Sequence, residues 1–207
     1  MFENESKYNV SVFDVSEDLT EGVVIVTNSD GKTNLESPIA VVSKITTVKN
    51  EDGDQVEKLY AAYNGEIVSF ETEGTGVLVK DGKKPLEAGD IIQFKVNNKN
   101  VIEKFDLIFD ISKKDTEFTK EASDKMTVVY GKVTKKFASS INVSVNDGGI
   151  ENYSLDGVKV YSYNSEKTSN RVSVVTSADI GRFDASNPQR VLIRIYDDMV
   201  KEIVIIK

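Results

Sequence analysis

The sequence predicts an all-β protein, with two tandem small β-barrel- or β-sandwich-like domains joined by a short polar linker. Three observations carry this. Val and Ile number 45 against 16 Leu and Ala, and β-branched side chains suit a pleated surface while Leu and Ala suit helices. Apolar residues alternate with period two or form short continuous β-branched blocks, with Asn-Gly and Asp-Gly turns between them. Finally, features of residues 35–112 return in residues 126–207.

In chain order, residues 1–34 read as a hairpin. It runs from Asn9–Val15 through the polar turn Ser16-Glu17-Asp18 to Val23–Thr27. Residues 35–112 form the first β domain. Strands are expected at Ile39–Val48, Lys58–Tyr63, Glu66–Glu71, Gly76–Lys80, Asp90–Val96 and Val101–Phe109. Asp52-Gly53, Asn64-Gly65 and Asp81-Gly82 mark turns, because Gly after Asn or Asp supplies the positive φ of a tight hairpin. Residues 113–125 read as the linker: Ser112–Met126 is polar and lacks a core face, which predicts a site of proteolytic separation. Residues 126–207 form the second β domain. Its strands are expected at Thr127–Lys136, Ser140–Val145, Ile150–Ser154, Lys159–Tyr163, Arg171–Val175, Gln189–Tyr196 and Val200–Ile206.

The repeat aligns Val41–Thr46 with Val129–Thr134, Asp90-Ile91 with Asp179-Ile180, and Ile102–Ile108 with Val200–Ile206. Each unit therefore closes on a β-hairpin, and residues 8–26 echo that hairpin as a partial third copy. Closure of such a unit removes exposed strand edges.

Composition excludes much chemistry. The 207 residues contain no His, Cys or Trp. A Ser-His-Asp triad, an imidazole or thiolate metal site, a disulfide and a thiol nucleophile are all impossible. The formal charge of −8 opposes nucleic-acid binding, which needs net positive charge along the phosphates. No apolar run reaches the roughly 20 residues of a membrane-spanning helix. The N-terminus lacks the basic and apolar regions of a signal peptide, so the protein is either cytoplasmic or a fragment of a longer exported chain, and the latter is the expectation.

Few residue groups remain as candidate sites. Glu51, Asp52 and Asp54 surround Gly53 and supply the carboxylates of a candidate Ca²⁺ site, without EF-hand spacing; a solvated hairpin turn is the plainer reading. No other cofactor is expected. Tyr60 with Tyr63, and Tyr161 with Tyr163, read as two pairs that each share a strand face and offer a small platform for a glycan or polymer, the plainer reading being half-buried sheet tyrosines. Arg182, Arg190 and Arg194 cluster as either an anion-binding face or a salt-bridged barrel surface. No Gly-rich segment has phosphate-loop context, and Ser43-Lys44, being adjacent on a strand, point to opposite faces and form no dyad. A hydrolase using carboxylates alone is the one enzymatic alternative.

The segment Leu86–Phe94, the polar turn 97–100 and Val101–Ile108, together with the tail Val191–Lys207, resemble the β-rich repeats beside S-layer homology domains in Gram-positive surface proteins. The resemblance implies a non-catalytic spacer or assembly module at the cell surface, partnered by other protein subunits or a cell-wall polymer. A phage or virion tail or baseplate component and a glycan-binding module are the alternatives.

Overall fold

The computed structural model describes residues 8–13, 23–28, 37–80, 84–123, 125–145, 149–181, 184 and 186–207. Residues 1–33 form one unit and residues 34–207 another. The first holds a hairpin of β1 (Tyr8–Phe13) and β2 (Val23–Asn28), antiparallel from the Tyr8–Asn28 pair to the Phe13–Val23 pair.

The second unit begins with a closed barrel. It contains β3 (Ala40–Lys49), β4 (Gln55–Tyr63) and β5 (Glu66–Thr72), then a short ribbon of β6 (Val79–Lys80) and β7 (Lys84–Pro85). β8 (Ile91–Val96) and β9 (Val101–Phe109) complete it. The order β3-β4-β5-β9-β8 closes on β3; every pairing is antiparallel except β5 with β9, which is parallel at Glu71–Val101 and Thr72–Ile102. This is a small closed five-stranded barrel. Asn64 (φ 52°) and Gly65 (φ 90°) give the β4–β5 hairpin the two left-handed residues that match strand twist. The barrel interior is filled by Ala40, Val42, Leu59, Ala61, Leu78, Leu86, Ile92, Phe94 and Ile102.

The remaining strands are β10 (Phe118–Ser123), β11 (Met126–Lys136), β12 (Ser140–Val145), β13 (Gly149–Ser154), β14 (Lys159–Tyr163), β15 (Val172–Val175), β16 (Arg190–Tyr196) and β17 (Met199–Ile206). Their sheet runs β13-β12-β11-β16-β17-β14-β15, and β10 adds to β11. The plan is that of the first barrel with one change. There, β5 pairs antiparallel with β4 and parallel with β9. Here those roles are divided: β13 pairs with β12, and after four residues β14 pairs in parallel with β17. Tyr153 and Leu155 of the β13 end pack in the same core as Val160 of β14, so the sheet curls around that core. Gly131 is required where β11 meets β12, because a Cβ there would stand 2.2 Å from the Ser144 carbonyl oxygen.

The repeat alignment places Val41–Thr46 and Val129–Thr134 on equivalent first strands, and Ile102–Ile108 and Val200–Ile206 on equivalent last strands. It fails at Asp179-Ile180. Asp90 directly precedes β8, whereas Asp179 ends a 3-10 turn (Ser177–Asp179) eleven residues before β16.

The segment expected as a linker is built into the fold. Ile111–Lys113 form a 3-10 turn, and β10 lies antiparallel to β11. The Phe118 ring packs against Phe109 and Tyr130, which themselves lie 4.6 Å apart, and Glu117 pairs with Lys132 at 2.6 Å. Polar composition hid this strand: among its described side chains Phe118 is the apolar anchor.

The two halves are also not beads on a string. Ile39, Val41, Ala62, Ile91, Phe109 and Ile111 from the first half form one buried cluster with Met126, Val128, Tyr130, Tyr161, Tyr163, Leu192, Val204 and Ile206 from the second. Strand alternation explains how. Ala40 and Val42 point into the first barrel while Ile39 and Val41 enter the shared cluster. Val191 and Ile193 point into the second core while Leu192 enters the shared one; Ile203 and Ile205 alternate likewise with Val204 and Ile206. Strands buried on both faces read as continuous apolar blocks.

Tyr163 meets Gly89 at this seam: a Cβ on Gly89 (φ +97°) would stand 2.7 Å from the ring, whereas one on Gly53 (φ +88°) meets nothing within 4 Å. Both Gly→Ala changes impose similar backbone strain of about 1 kcal/mol. Gly89→Ala should cost roughly 1–3 kcal/mol more, the penalty of overpacking the seam. Chemical denaturation of the two variants checks this, and equal losses would show that the seam is not packed as described.

Candidate functional site

Charged residues within or beside apolar strands mark two buried ion-pair clusters among the described residues. The first centres on Lys80 at the end of β6. Its ammonium donates to Asp90 Oδ1 and Oδ2 at 3.1 and 3.0 Å and to Asp110 Oδ1 at 2.8 Å, with Glu87 at 3.8 Å. Lys80 is 3 % exposed and Asp90 0 %. Asp90 also accepts from the amides of Glu87 (2.7 Å) and Ile111 (3.0 Å), so its carboxylate is saturated with donors. Burial disfavours the Lys80 ammonium, but its hydrogen bonds to Asp110 and Asp90 outweigh that and raise its pKa. Burial likewise pushes the Asp110 carboxyl up, and hydrogen bonds from Lys80 and Ser112 prevail, bringing it down to about 2. An ammonium held in this way is neither a nucleophile nor a base at neutral pH. The arrangement clasps β6, the turn before β8 and the end of β9.

The second constellation lies on β16 and β17. Arg194 and Glu202 face each other across the hairpin and pair at 2.7 Å, both side chains 2 % exposed. Glu202 Oε1 also accepts the Ile39 amide at 3.2 Å. Burial raises the Glu202 pKa, and Arg194 counters it. The pair floors a shallow cleft with Pro38, Lys159, Tyr196 and Lys201 on its walls.

The tyrosines predicted as a platform do not form one. Tyr161 and Tyr163 do share a face, but that face is the shared core, and both are buried. Burial pushes the Tyr161 hydroxyl up to about 12, and its oxygen accepts the Gly65 amide at 3.0 Å. Tyr60 and Tyr63 are three residues apart and face opposite ways. Tyr63 packs with Phe70 and Phe94 in the first barrel, whereas Tyr60 carries the Lys44 ammonium 4.4 Å from its ring centre.

Glu51, Asp52 and Asp54 are exposed on the β3–β4 turn, which Asn50 organises by accepting the Asp52 and Asp54 amides at 3.1 and 2.8 Å. Among the described residues no three carboxylates gather around one metal-sized point. Of the clustered arginines, Arg190 lies 3.5 Å from Asp115, Arg194 is buried in its pair, and Arg182 falls outside the described residues.

Lys80, Asp90, Asp110 and Glu202 were missed as partners. The available signal was a charge within or against an apolar strand, as in Val77-Leu78-Val79-Lys80 and Glu202-Ile203-Val204-Ile205. No family model, curated protein or solved structure matches this chain. Among the described residues, no helix is long and apolar enough to cross a membrane.

The clasp makes stability acid-sensitive with a definite sign. Asp110 titrates at about 2 in the fold against 3.8 ordinarily. Its contribution, about 2 kcal/mol, is present above pH 4 and is lost as pH falls toward 2. Asp110→Asn should lower stability at neutral pH and flatten its decline between pH 4 and 2, measured by urea denaturation across that range. An unchanged pH slope would show that Lys80 does not hold Asp110 as an anion.

Proposed function

We propose that this chain is a non-catalytic structural and interaction module, acting as a spacer or assembly segment of a bacterial cell-surface protein of the S-layer type. The observation that carries the reading is the shared apolar core. It joins the closed barrel and the eight-stranded sheet through a cluster to which both contribute, and a spacer that transmits load between neighbours needs such a join. The buried ionic groups support it. Lys80, Asp90, Arg194 and Glu202 each hold strands or turns in place, and the ammonium most deeply buried is fully charged and saturated. The pattern-level resemblance to repeats beside S-layer homology domains points the same way, and surface location follows from it. The companions of such a module are other protein subunits or a cell-wall polymer.

Location separates this reading from that of a virion component. Antibodies against residues 34–207 should label intact cells of the organism that encodes the chain, and brief protease treatment of those cells should remove the label. Confinement of the chain to the cytosol, or its recovery only in phage particles, would overturn the proposal.

A further inference from the structure

Strand β13 is held from one side only. It ends the strand order of the eight-stranded sheet and, among the described residues, pairs with β12 alone. Of its six residues only Tyr153 is buried, and Ile150 is 59 % exposed, the highest value among the described large apolar side chains. The β12–β13 ladder fixes which backbone groups look outward. Leu155 donates to the Ser139 carbonyl at 2.9 Å in the same register, so the residues bonded inward to β12 are Tyr153, Glu151 and Gly149. Ile150, Asn152 and Ser154 turn their amides and carbonyls away from β12.

A free strand edge recruits further strands, and proteins guard against this with short strands, Lys, Pro or bulges. The other edges of the sheet carry such guards. β10 has Lys120 and Glu121 in its sequence and a register shift between Glu121 and Ser123. β15 has four residues and lies beside β4 of the barrel. β13 runs for six residues without Lys, Pro or a register shift, and its single charge, Glu151, accepts from the Tyr153 hydroxyl at 2.5 Å. The edge also fits itself. With two copies antiparallel and Asn152 facing Asn152, all three outward residues pair, because Ile150 of each copy meets Ser154 of the other. Glu151 then stands opposite Tyr153, so no like charges oppose one another. Moving the two-fold axis to residue 151 would set the two carboxylates directly opposite in a closely spaced pair.

We propose that β13 is an assembly edge that binds the β13 of a second copy of this chain, antiparallel about a two-fold axis at Asn152, so that the two sheets become one. The Asn152 side-chain amide donates to Asn142 Oδ1 at 2.7 Å and to Ser140 Oγ at 3.2 Å, and pairing continues this polar row across the junction. The joint is small and each copy carries −8, so association is weak and strengthens as salt screens the repulsion. The joint gives the assembly reading its partner yet stands on geometry alone: loss of the surface label would leave dimerisation where it is, and a monomeric chain would leave the label.

The test places single cysteines in a full chain that has none. Facing residues of a hydrogen-bonded antiparallel pair lie about 5.5 Å apart at Cα, within disulfide reach. Under mild oxidation Asn152→Cys should cross-link to a dimer at least about tenfold faster than Ile150→Cys, whose two copies lie roughly 14 Å apart along the ladder. The unsubstituted chain, at up to about 1 mM, should gain mass in sedimentation with concentration and with salt. The amides of Ile150, Asn152 and Ser154 should gain protection from exchange in step. Asn152→Pro removes one outward donor from each copy, spares the ladder to β12, and should weaken association at least about tenfold. Asn152→Lys opposes two ammonium groups at the axis and should weaken it as well, whereas Val174→Lys on β15 should leave it within about twofold. Equal cross-linking of the two cysteine variants, a monomer at every concentration, or equal weakening by Val174→Lys would each overturn the proposal. So would concentration-independent protection of the three amides, because another segment of the same chain would then occupy the edge.

Discussion

The rest of the structure depends on double-sided burial of a few strands. β3, β11, β16 and β17 each send alternate side chains into the core of their own half and the intervening ones into a common core. A β unit of about 80 residues buries a limited share of its surface and is marginal alone. Joining two of them through a third core adds burial of Ile39, Val41, Ile91, Tyr130, Tyr161, Leu192 and Val204, each worth about 1.5–3 kcal/mol when removed from water. The chain has no cysteine and therefore no disulfide, so apolar contact carries much of this stability.

The polar groups at the seam follow from that constraint. A strand end buried against a neighbour leaves backbone amides in need of acceptors. Glu202 takes the amide of Ile39, Asp90 takes that of Ile111, and the Tyr161 hydroxyl takes that of Gly65. Ile39 and Ile111 belong to the shared core, so the two buried ionic clusters sit at its margins and fix where each strand starts or stops. Each carboxylate is in turn neutralised by one buried cation, Arg194 or Lys80. Removing a single partner would strand a charge in a dry interior, which costs far more than the pair contributes.

Much of the fold was legible in sequence because its signals are local. Val/Ile excess gave the all-β class, Asn64-Gly65 gave a hairpin turn, and the matched first and last strands of each half gave equivalent positions. What escaped depends on distance in space. Val191-Leu192-Ile193 and Ile203–Ile206 read as strands, but nothing in one strand says that its second face meets another barrel. Tyr161 and Tyr163 share a face, as spacing requires, and the neighbour that buries it lies some 70 residues away. β10 looked like a linker because a strand added at an edge needs only backbone partners and one anchor, Phe118. The site was less legible than the fold: Lys80 meets Asp90 and Asp110 only after the ribbon and the β8–β9 hairpin fold, and Lys159 comes opposite Glu202 only through the parallel β14–β17 pairing.

The central claim is that residues 34–207 form one cooperative body held by the shared core. Native-state hydrogen exchange across a denaturant series tests it most directly, because it assigns an opening free energy to each strand. The protected amides of β4 and β8 in the barrel and of β12 and β17 in the eight-stranded sheet should converge on one global isotherm with one slope. Two isotherms, with one half opening while the other stays protected, would contradict the account and restore two independent domains.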